Sequence, residues 1–290
     1  MLYARLGHFF FILNSVSRTP LNISHKDVQW VVAMKKYLNK PFYILSVPNK
    51  IRIRLGNSDY LVVDLTEPLR EDVEIYPGDP KPKKKVFSDI RKTGSQHHVY
   101  CLSDHCFHPH GDAPSHQNKG LQHKGFESYG IEFCFNPACL IDLSNSKAAK
   151  NYNGIKYLLE IKKEHLVPHS QIIAKKGAVV IRTGYDRWIE SNKPHRPKNI
   201  PYLSKSSAEF IAGFKNIKVV GIDSITFDPC GDKPVHLAHQ ALKHNLIVES
   251  MVHLYEIPAK ARSSFYLQTS AVRIVGATGG PIAAYAFIEV

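Results

Sequence analysis

The residues with the most chemistry to offer lie together between Cys101 and His116, in the run Cys-Leu-Ser-Asp-His-Cys-Phe-His-Pro-His-Gly-Asp-Ala-Pro-Ser-His. Cys106, His108, His110 and Asp112 recur at every second position, so an extended backbone would send all four side chains to one face. Pro114 ends regular strand pairing, and the turn after it can swing His116 back toward that face. Thiol and imidazole beside one carboxylate suit Zn, Mn or Fe(II) better than Ca or Mg. A divalent ion brings a water within reach of deprotonation near neutral pH and polarises an amide or lactam carbonyl. His116, an imidazole that titrates near working pH, can take the water proton and return it to a leaving nitrogen. A serine nucleophile has no support, because Ser103 and Ser115 lack a Gly-x-Ser-x-Gly elbow.

Each of these residues also has a plainer reading. A histidine-rich surface loop is the simplest, but five potential ligands in eleven positions, in register with a strand, argue against it. Cys106 could be a buried apolar thiol. His108 reads as a surface or supporting residue, and His97, His98, His105 and His123 as exposed or structural. Tyr76 could cover the core, and Asp79 could serve its own turn. Glu249 differs: it follows the apolar run Leu246-Ile247-Val248, where a carboxylate is costly to bury without a cation.

The elements that must position these groups read as one α/β domain over residues 58–290, after an N-terminal extension over 1–57. Within the extension, Ser24 to Leu38 has helical spacing, and Phe42 to Val47 and Ile51 to Leu55 read as strands around Pro48-Asn49-Lys50. The first residues hold a short apolar run, Phe9 to Leu13, without a basic leader or a small-residue cleavage site, so a signal peptide is not expected. From Tyr60 onward the pattern predicts strands at 60–65, 131–135, 138–143, 178–184, 219–223, 246–248, 265–274 and 283–290, with an extended segment over 99–103. Helices are predicted at 155–163, 204–214 and 238–244, and strand–helix–strand alternation around 178–223 favours an α/β architecture. Tyr76-Pro77-Gly78-Asp79-Pro80 predicts a rigid turn that exposes an aromatic ring.

Composition narrows the class. The 290 residues suffice for a full core, and the hydrophobic share of 43% is that of a globular protein. Thirty-eight basic residues against 25 acidic ones give a formal charge of +13, with a local run at Lys81, Lys83, Lys84 and Lys85. No nucleic-acid motif accompanies it, so a solvated basic surface or attraction of an anionic substrate is the expectation, and a nucleic-acid partner is not. The five cysteines (Cys101, Cys106, Cys134, Cys139 and Cys230) are odd in number and form no Cys-x-x-Cys, which favours a reducing cytosol over a disulfide framework. No apolar run approaches the length of a membrane span.

Six stretches in order resemble the cyclase family, which includes bacterial kynurenine formamidase and isatin hydrolase. They are Asp64-Leu65-Thr66, Tyr76-Pro77-Gly78-Asp79-Pro80, His110-x-Asp112-Ala113-Pro114-x-His116, Ile181-Arg182-Thr183-Gly184, Gly221-Ile222-Asp223 and Glu249. Near the C-terminus, Gly279-Gly280-Pro281-Ile282 is similar to the family's closing Gly-Ser-Pro-Val. The resemblance implies a single cyclase-like, kynurenine formamidase-like β/β/α domain with a mixed central sheet. It implies one or two divalent ions, Zn or Mn, held by Cys106, His110, Asp112, His239 and Glu249, with His116 as proton donor and acceptor. Tyr76 falls where such members place a substrate-stacking aromatic, and a homodimer or homotetramer is implied as well. The activity implied is hydrolysis of a small amide or cyclic amide, such as N-formylkynurenine or an isatin-like lactam. Against the signature His-x-Gly-Thr-His-x-Asp-x-Pro-x-His, this chain has Cys106 for the first His and His108-Pro109 for Gly-Thr. His236 competes with His239 as the downstream ligand, and Ala283 stands where an Arg is usual. These departures motivate two alternatives: a lapsed member that binds a metabolite or partner, and, from the charge, a zinc-stabilised nucleic-acid-binding protein.

Overall fold

A computed structural model describes residues 48–231 and 236–290. Nine strands form one mixed sheet: β1 (Lys50–Leu55), β2 (Ser58–Asp64), β3 (His110–Asp112), β4 (Phe135–Asp142), β5 (Ala178–Arg182), β6 (Val219–Ile222), β7 (Leu246–Glu249), β8 (Phe265–Ala271) and β9 (Gly279–Glu289). Their order is β1-β2-β9-β8-β4-β5-β6-β7-β3, and β3 also pairs with β9. That last pairing closes seven strands, β9-β8-β4-β5-β6-β7-β3, into a barrel, while the β1–β2 hairpin extends the sheet outward from β9. The expected mixed sheet is therefore present, but it is rolled up and carries few helices. Strands β4 to β7 are parallel to one another; β8 pairs antiparallel with β4, β3 antiparallel with β7, and β9 antiparallel with both β8 and β3.

Burial on both faces explains why the parallel strands read as continuous apolar runs. One face fills the barrel with Ala138, Leu140, Val180, Val248, Leu267 and Ala286. The other face, including Ile141, Val179, Ile181, Val220 and Ile247, packs against helices. Four short helices matter for the site: α1 (Pro114–Gln117), α2 (Asp186–Glu190), α3 (Lys205–Ala212) and α4 (Leu237–Ala241). Ser204 caps α3 by accepting the Ser207 N–H at 3.3 Å, and Ala208 and Ile211 of that helix are fully buried. Burying a side chain the size of Ile211 contributes about 1.5–3 kcal/mol.

Several predicted elements differ. Residues 155–163 are not a helix: Asn153-Gly154, with φ of 51° and 88°, turns a hairpin between Lys150–Tyr152 and Ile155–Tyr157. An Asn-Gly pair with positive φ is the preferred two-residue hairpin turn, and it overrides the helical spacing beyond it. Ile131–Phe133 is a 3-10 turn instead of a strand, and pairing begins at Phe135. The domain also starts before residue 58, because β1 pairs with β2 along its whole length from Lys50 to Leu55. The expected helix over 24–38 and strand over 42–47 lie outside the described residues. No helix among the described residues is long and apolar enough to cross a membrane.

Barrel closure depends on Gly111, the middle residue of β3. A Cβ there would stand 2.9 Å from Cε2 of the Phe126 ring and 3.1 Å from Ile282 and Leu246. Phe126 is fully buried, so the ring has nowhere to retreat. Gly111 thus faces the packed interior, and strand alternation turns His110 and Asp112 to the opposite side. Gly111→Ala is expected to lower stability by about 1–3 kcal/mol, the usual cost of overpacking a filled core. An unchanged urea midpoint would contradict this account of closure.

Candidate metal centre

Five elements deliver the site. β3 supplies His110 and Asp112, and its register partner β7 supplies Glu249, directly opposite His110. α1 begins at Pro114, suited to a first helical turn, and brings His116 back over the strand it follows. α4 carries His239, and Asp228 fixes the start of that helix by accepting the backbone N–H groups of Ala238 at 2.7 Å and His239 at 3.3 Å. The loop before β3 supplies His105. Its neighbour Asp104 is held by Thr278, whose N–H and hydroxyl both donate to the carboxylate at 2.9 Å.

Hydrogen bonding sets the ring tautomers. His110 Nδ1 donates to the Phe107 carbonyl at 3.0 Å, so a neutral ring has its lone pair at Nε2. That nitrogen faces Glu249 Oε2 at 3.2 Å and Asp112 Oδ1 at 3.8 Å. His239 repeats the pattern, with Nδ1 hydrogen-bonded to Asp228 and Nε2 lying 3.0 Å from Asp112 Oδ2 and 3.4 Å from Glu249 Oε1. A lone pair facing a carboxylate is repulsive unless a proton or a metal ion lies between them. Asp112 Oδ1 and His105 Nε2 are buried and face each other at 3.3 Å, without a well-aligned hydrogen bond to any group. Buried polar atoms without a good hydrogen bond cost about 1–3 kcal/mol each, so both are free to take a proton or a cation between them. Three sets of side chains converge closely enough to hold a cation: His110, Asp112 and Glu249; His105, Asp112 and His116; and Asp228, His236 and His239. The donor set of imidazoles and carboxylates fits Zn or Mn.

The electrostatics agree. Burial opposes the charge on Asp112, yet His116, His105, His239 and His110 around it hold its carboxyl well below the usual range. Burial also opposes a charge on His239, but Asp112, Asp228 and Glu249 hold its pKa well above the ordinary value. His105 behaves alike: burial disfavours its charge, and Asp112 with Glu249 and Asp79 raises it to about 9. In the metal-free protein, protons on His105 and His239 balance the carboxylates. His116 goes the other way, down to about 4, because burial together with the neighbouring His105 and His239 outweighs the attraction of Asp112.

These groups line a cleft of about 220 Å3, with Tyr76, Asp79, Gln117, Ile225, Pro229 and Ser250 completing its wall. The volume is below the several hundred Å3 of sites that enclose drug-sized ligands, so the cleft suits a small molecule. Of the residues singled out in the sequence, His110, Asp112, His116, His239, Glu249 and Tyr76 all reach it. Cys106 does not. Its thiol is fully buried among Val73, Ile75 and Phe107, and burial pushes its pKa up, so the expectation that it is a ligand is corrected. His105, expected to be exposed or structural, stands beside Asp112 instead. Every-second-residue spacing carries over only within a strand, and β3 is three residues long. Between the two downstream candidates, His239 rather than His236 faces Asp112 and Glu249; His236 is one-third exposed, with Nδ1 4.0 Å from Asp228. His108 is buried, with Nδ1 3.3 Å from Glu67, and lies at the cleft wall. Asp228 had no sequence signal, since its role depends on a helix folding back eleven residues later.

Comparison with known proteins supplies the context. The model of the Cyclase family matches residues 63–229. Kynurenine formamidase of Bacillus thuringiensis (strain Al Hakam) is 27% identical over 197 residues, covering 66% of this chain and 81% of the relative. Among solved structures, isatin hydrolase A from Labrenzia aggregata superposes with a TM-score of 0.63 at 20% identity, over 79% of this chain and 94% of that one. A structure described as a predicted metal-dependent hydrolase from Bacillus stearothermophilus gives a TM-score of 0.57 at 19% identity, over 78% and 97% of the two chains. At these identities the structures speak for a shared fold. Cys106→Ser is expected to leave metal content unchanged, whereas His110→Ala and Asp112→Asn each lower metal affinity at least about tenfold, since loss of a mere partner of a ligand already costs that much. Elemental analysis of the purified variants by mass spectrometry checks this. Metal loss in Cys106→Ser alone would restore the thiol as a ligand.

Proposed function

This chain belongs to the cyclase family, and from that membership we propose that it is a metal-dependent hydrolase of small amides, aryl formamides or isatin-like lactams, with Zn or Mn in the cleft. The observation that carries the reading is the buried convergence of the Asp112 and Glu249 carboxylates with the Nε2 atoms of His110 and His239 and with His105. Such an arrangement needs positive charge, which protons on the rings or a single bound cation can supply. When bound, a divalent ion supplies an acidified water and draws electron density from an amide carbonyl.

The protein's own groups do the rest. His110, Asp112, His239 and Glu249 hold the ion, with His105 as a further donor. Asp228 orients His239 by fixing its Nδ1 proton and the first turn of α4. His116 moves the proton. Its Nε2 meets the Gln117 amide at 2.8 Å. Either end of that amide can face the ring. With the oxygen there, Gln117 accepts the Nε2–H and leaves Nδ1 free to take a proton from water and pass it to the departing nitrogen. Tyr76 offers a ring face to the aromatic part of the substrate, and the small cleft limits that part to roughly one ring system.

His116→Ala is expected to lower kcat about 10²–10⁴-fold for N-formylkynurenine, formanilide or isatin while metal content stays constant. Retained turnover in His116→Ala would remove His116 from the proton path, and no turnover of any of the three by metal-loaded wild type would overturn the proposed substrate class. The depressed His116 pKa also gives a sign. Burial is the largest cause of that depression and persists whatever charge the neighbouring rings carry, so the acid limb of kcat/KM is expected below the ordinary histidine value of 6.5. An acid limb at 6.5 would assign proton transfer elsewhere.

A further inference from the structure

Residues 72–76 bring Tyr76 to the cleft without belonging to any strand or helix. Tyr76 itself opens a tight turn: Asp79 N–H donates to the Tyr76 carbonyl at 3.1 Å, Pro77 occupies the second position, and Gly78 has φ of +99°. This is the type II pattern, which needs a positive φ at its third residue. The turn is rigid, but something else must fix where it stands. Two residues that follow α2 do so. Asn192 Oδ1 accepts the Glu74 N–H at 3.0 Å, and Asn192 Nδ2 donates to the Asp72 carbonyl at 3.1 Å. His195 Nε2 donates to the Glu74 carbonyl at 3.1 Å. Both backbone groups of Glu74 are therefore held by side chains, in place of a sheet neighbour.

We propose that Asn192 and His195 are positioning residues that hold Tyr76 at the cleft wall and so set how tightly an aromatic amide binds. The inference rests on the reading of the cleft as a hydrolase site with Tyr76 at the substrate ring. Asn192 sits at φ +48°, a left-handed conformation that Asn tolerates better than other side chains, so the residue suits both the backbone and the two bonds. His195 is buried, and its Nδ1 accepts the Tyr185 hydroxyl at 2.8 Å. With one ring nitrogen donating and the other accepting, the neutral ring has a single fixed tautomer. Tyr185 is anchored in turn: its N–H donates to Asp223 at 2.9 Å, as do those of Thr183 and Gly184 at 2.9 and 2.8 Å. Gly184 is needed there, since at φ +101° an added Cβ would meet the Lys156 carbonyl oxygen at 2.7 Å. A continuous set of hydrogen bonds thus runs from a buried carboxylate at the end of the sheet to the turn that presents Tyr76. None of its members belongs to the converging ligand groups.

The test compares wild type with Asn192→Gly, which keeps the backbone accessible but deletes both bonds, and with His195→Phe and His195→Gln. Acetanilide affinity by calorimetry, exchange of backbone amides in residues 72–79, metal content, and KM and kcat for formanilide and ring-free N-methylformamide are measured. Asn192→Gly and His195→Phe are expected to weaken acetanilide binding and raise the formanilide KM about tenfold. Amide exchange in 72–79 should quicken, while formanilide kcat, N-methylformamide kinetics and metal content stay within about twofold of wild type. His195→Gln, whose amide can still donate to the Glu74 carbonyl, should recover most of the affinity. Equal acetanilide affinity in wild type and variants, no acetanilide binding by wild type, or equal losses for both substrates would overturn the proposal. Absence of formanilide turnover by wild type that still binds acetanilide would count against the hydrolase reading alone, because affinity and exchange decide the positioning role independently.

Discussion

Asp112 is a buried carboxylate with imidazoles on several sides, and its need for positive charge governs its surroundings. A carboxylate removed from water costs several kcal/mol unless matched, and here the match must come from a small volume shared by His105, His110, His116 and His239. Glu249 and Asp228 add further negative charge to the same volume. Histidines alone can offset it only by taking up protons. A divalent ion does so while leaving each ring neutral and each lone pair directed at something electropositive. A cation bound here would couple metal binding to the folding of this corner, because the groups that surround it converge only in the folded chain.

The barrel exists in a form that allows this. β3 must lie between β7 and β9 with one face against Phe126 and Ile282, and only a residue without a side chain fits at its centre. Tyr129 reinforces the closure, its hydroxyl lying 2.9 Å from the Asp112 carbonyl and 2.8 Å from that of Asn245. Once β3 is held there, the residues on either side of Gly111 project toward the ends of α1 and α4. The geometry of the converging imidazoles and carboxylates thus follows from the packing of an apolar interior on the other side of the strand.

The legibility of the chain divides along physical lines. The β-branched runs of β5, β6 and β7 were readable because burial on both faces leaves no other composition possible, and α3 was readable from its Ser204 cap. Glu249 stood out because an acid at the end of an apolar run is costly. His110, Asp112 and His116 were legible by their spacing around a short strand and a proline. What could not be read depends on contacts distant in sequence. Cys106 and His105 exchange the expected places because the segment before β3 is not extended, and its course is set by Thr278 and by the apolar contacts of Val73 and Ile75. Closure of the sheet into a barrel rests on a three-residue register that no periodicity announces.

The eleven-residue strand β9 serves two partners in succession: Gly279 to Pro281 pair with β3, and Tyr285 to Glu289 pair with β2. A closed barrel exposes no strand edge, so the added β1–β2 hairpin reintroduces one. Among the described residues, β1 has β2 as its only neighbour in the sheet, which leaves a line of backbone donors and acceptors open to pairing with another molecule. The residues on β1 answer that hazard. Lys50, Arg52 and Arg54 alternate along the strand, all exposed; Lys50 pairs with Glu256 at 2.6 Å, and the two arginines would meet those of a second copy approaching edge to edge. Part of the excess positive charge of this protein thereby acts as a safeguard against aggregation.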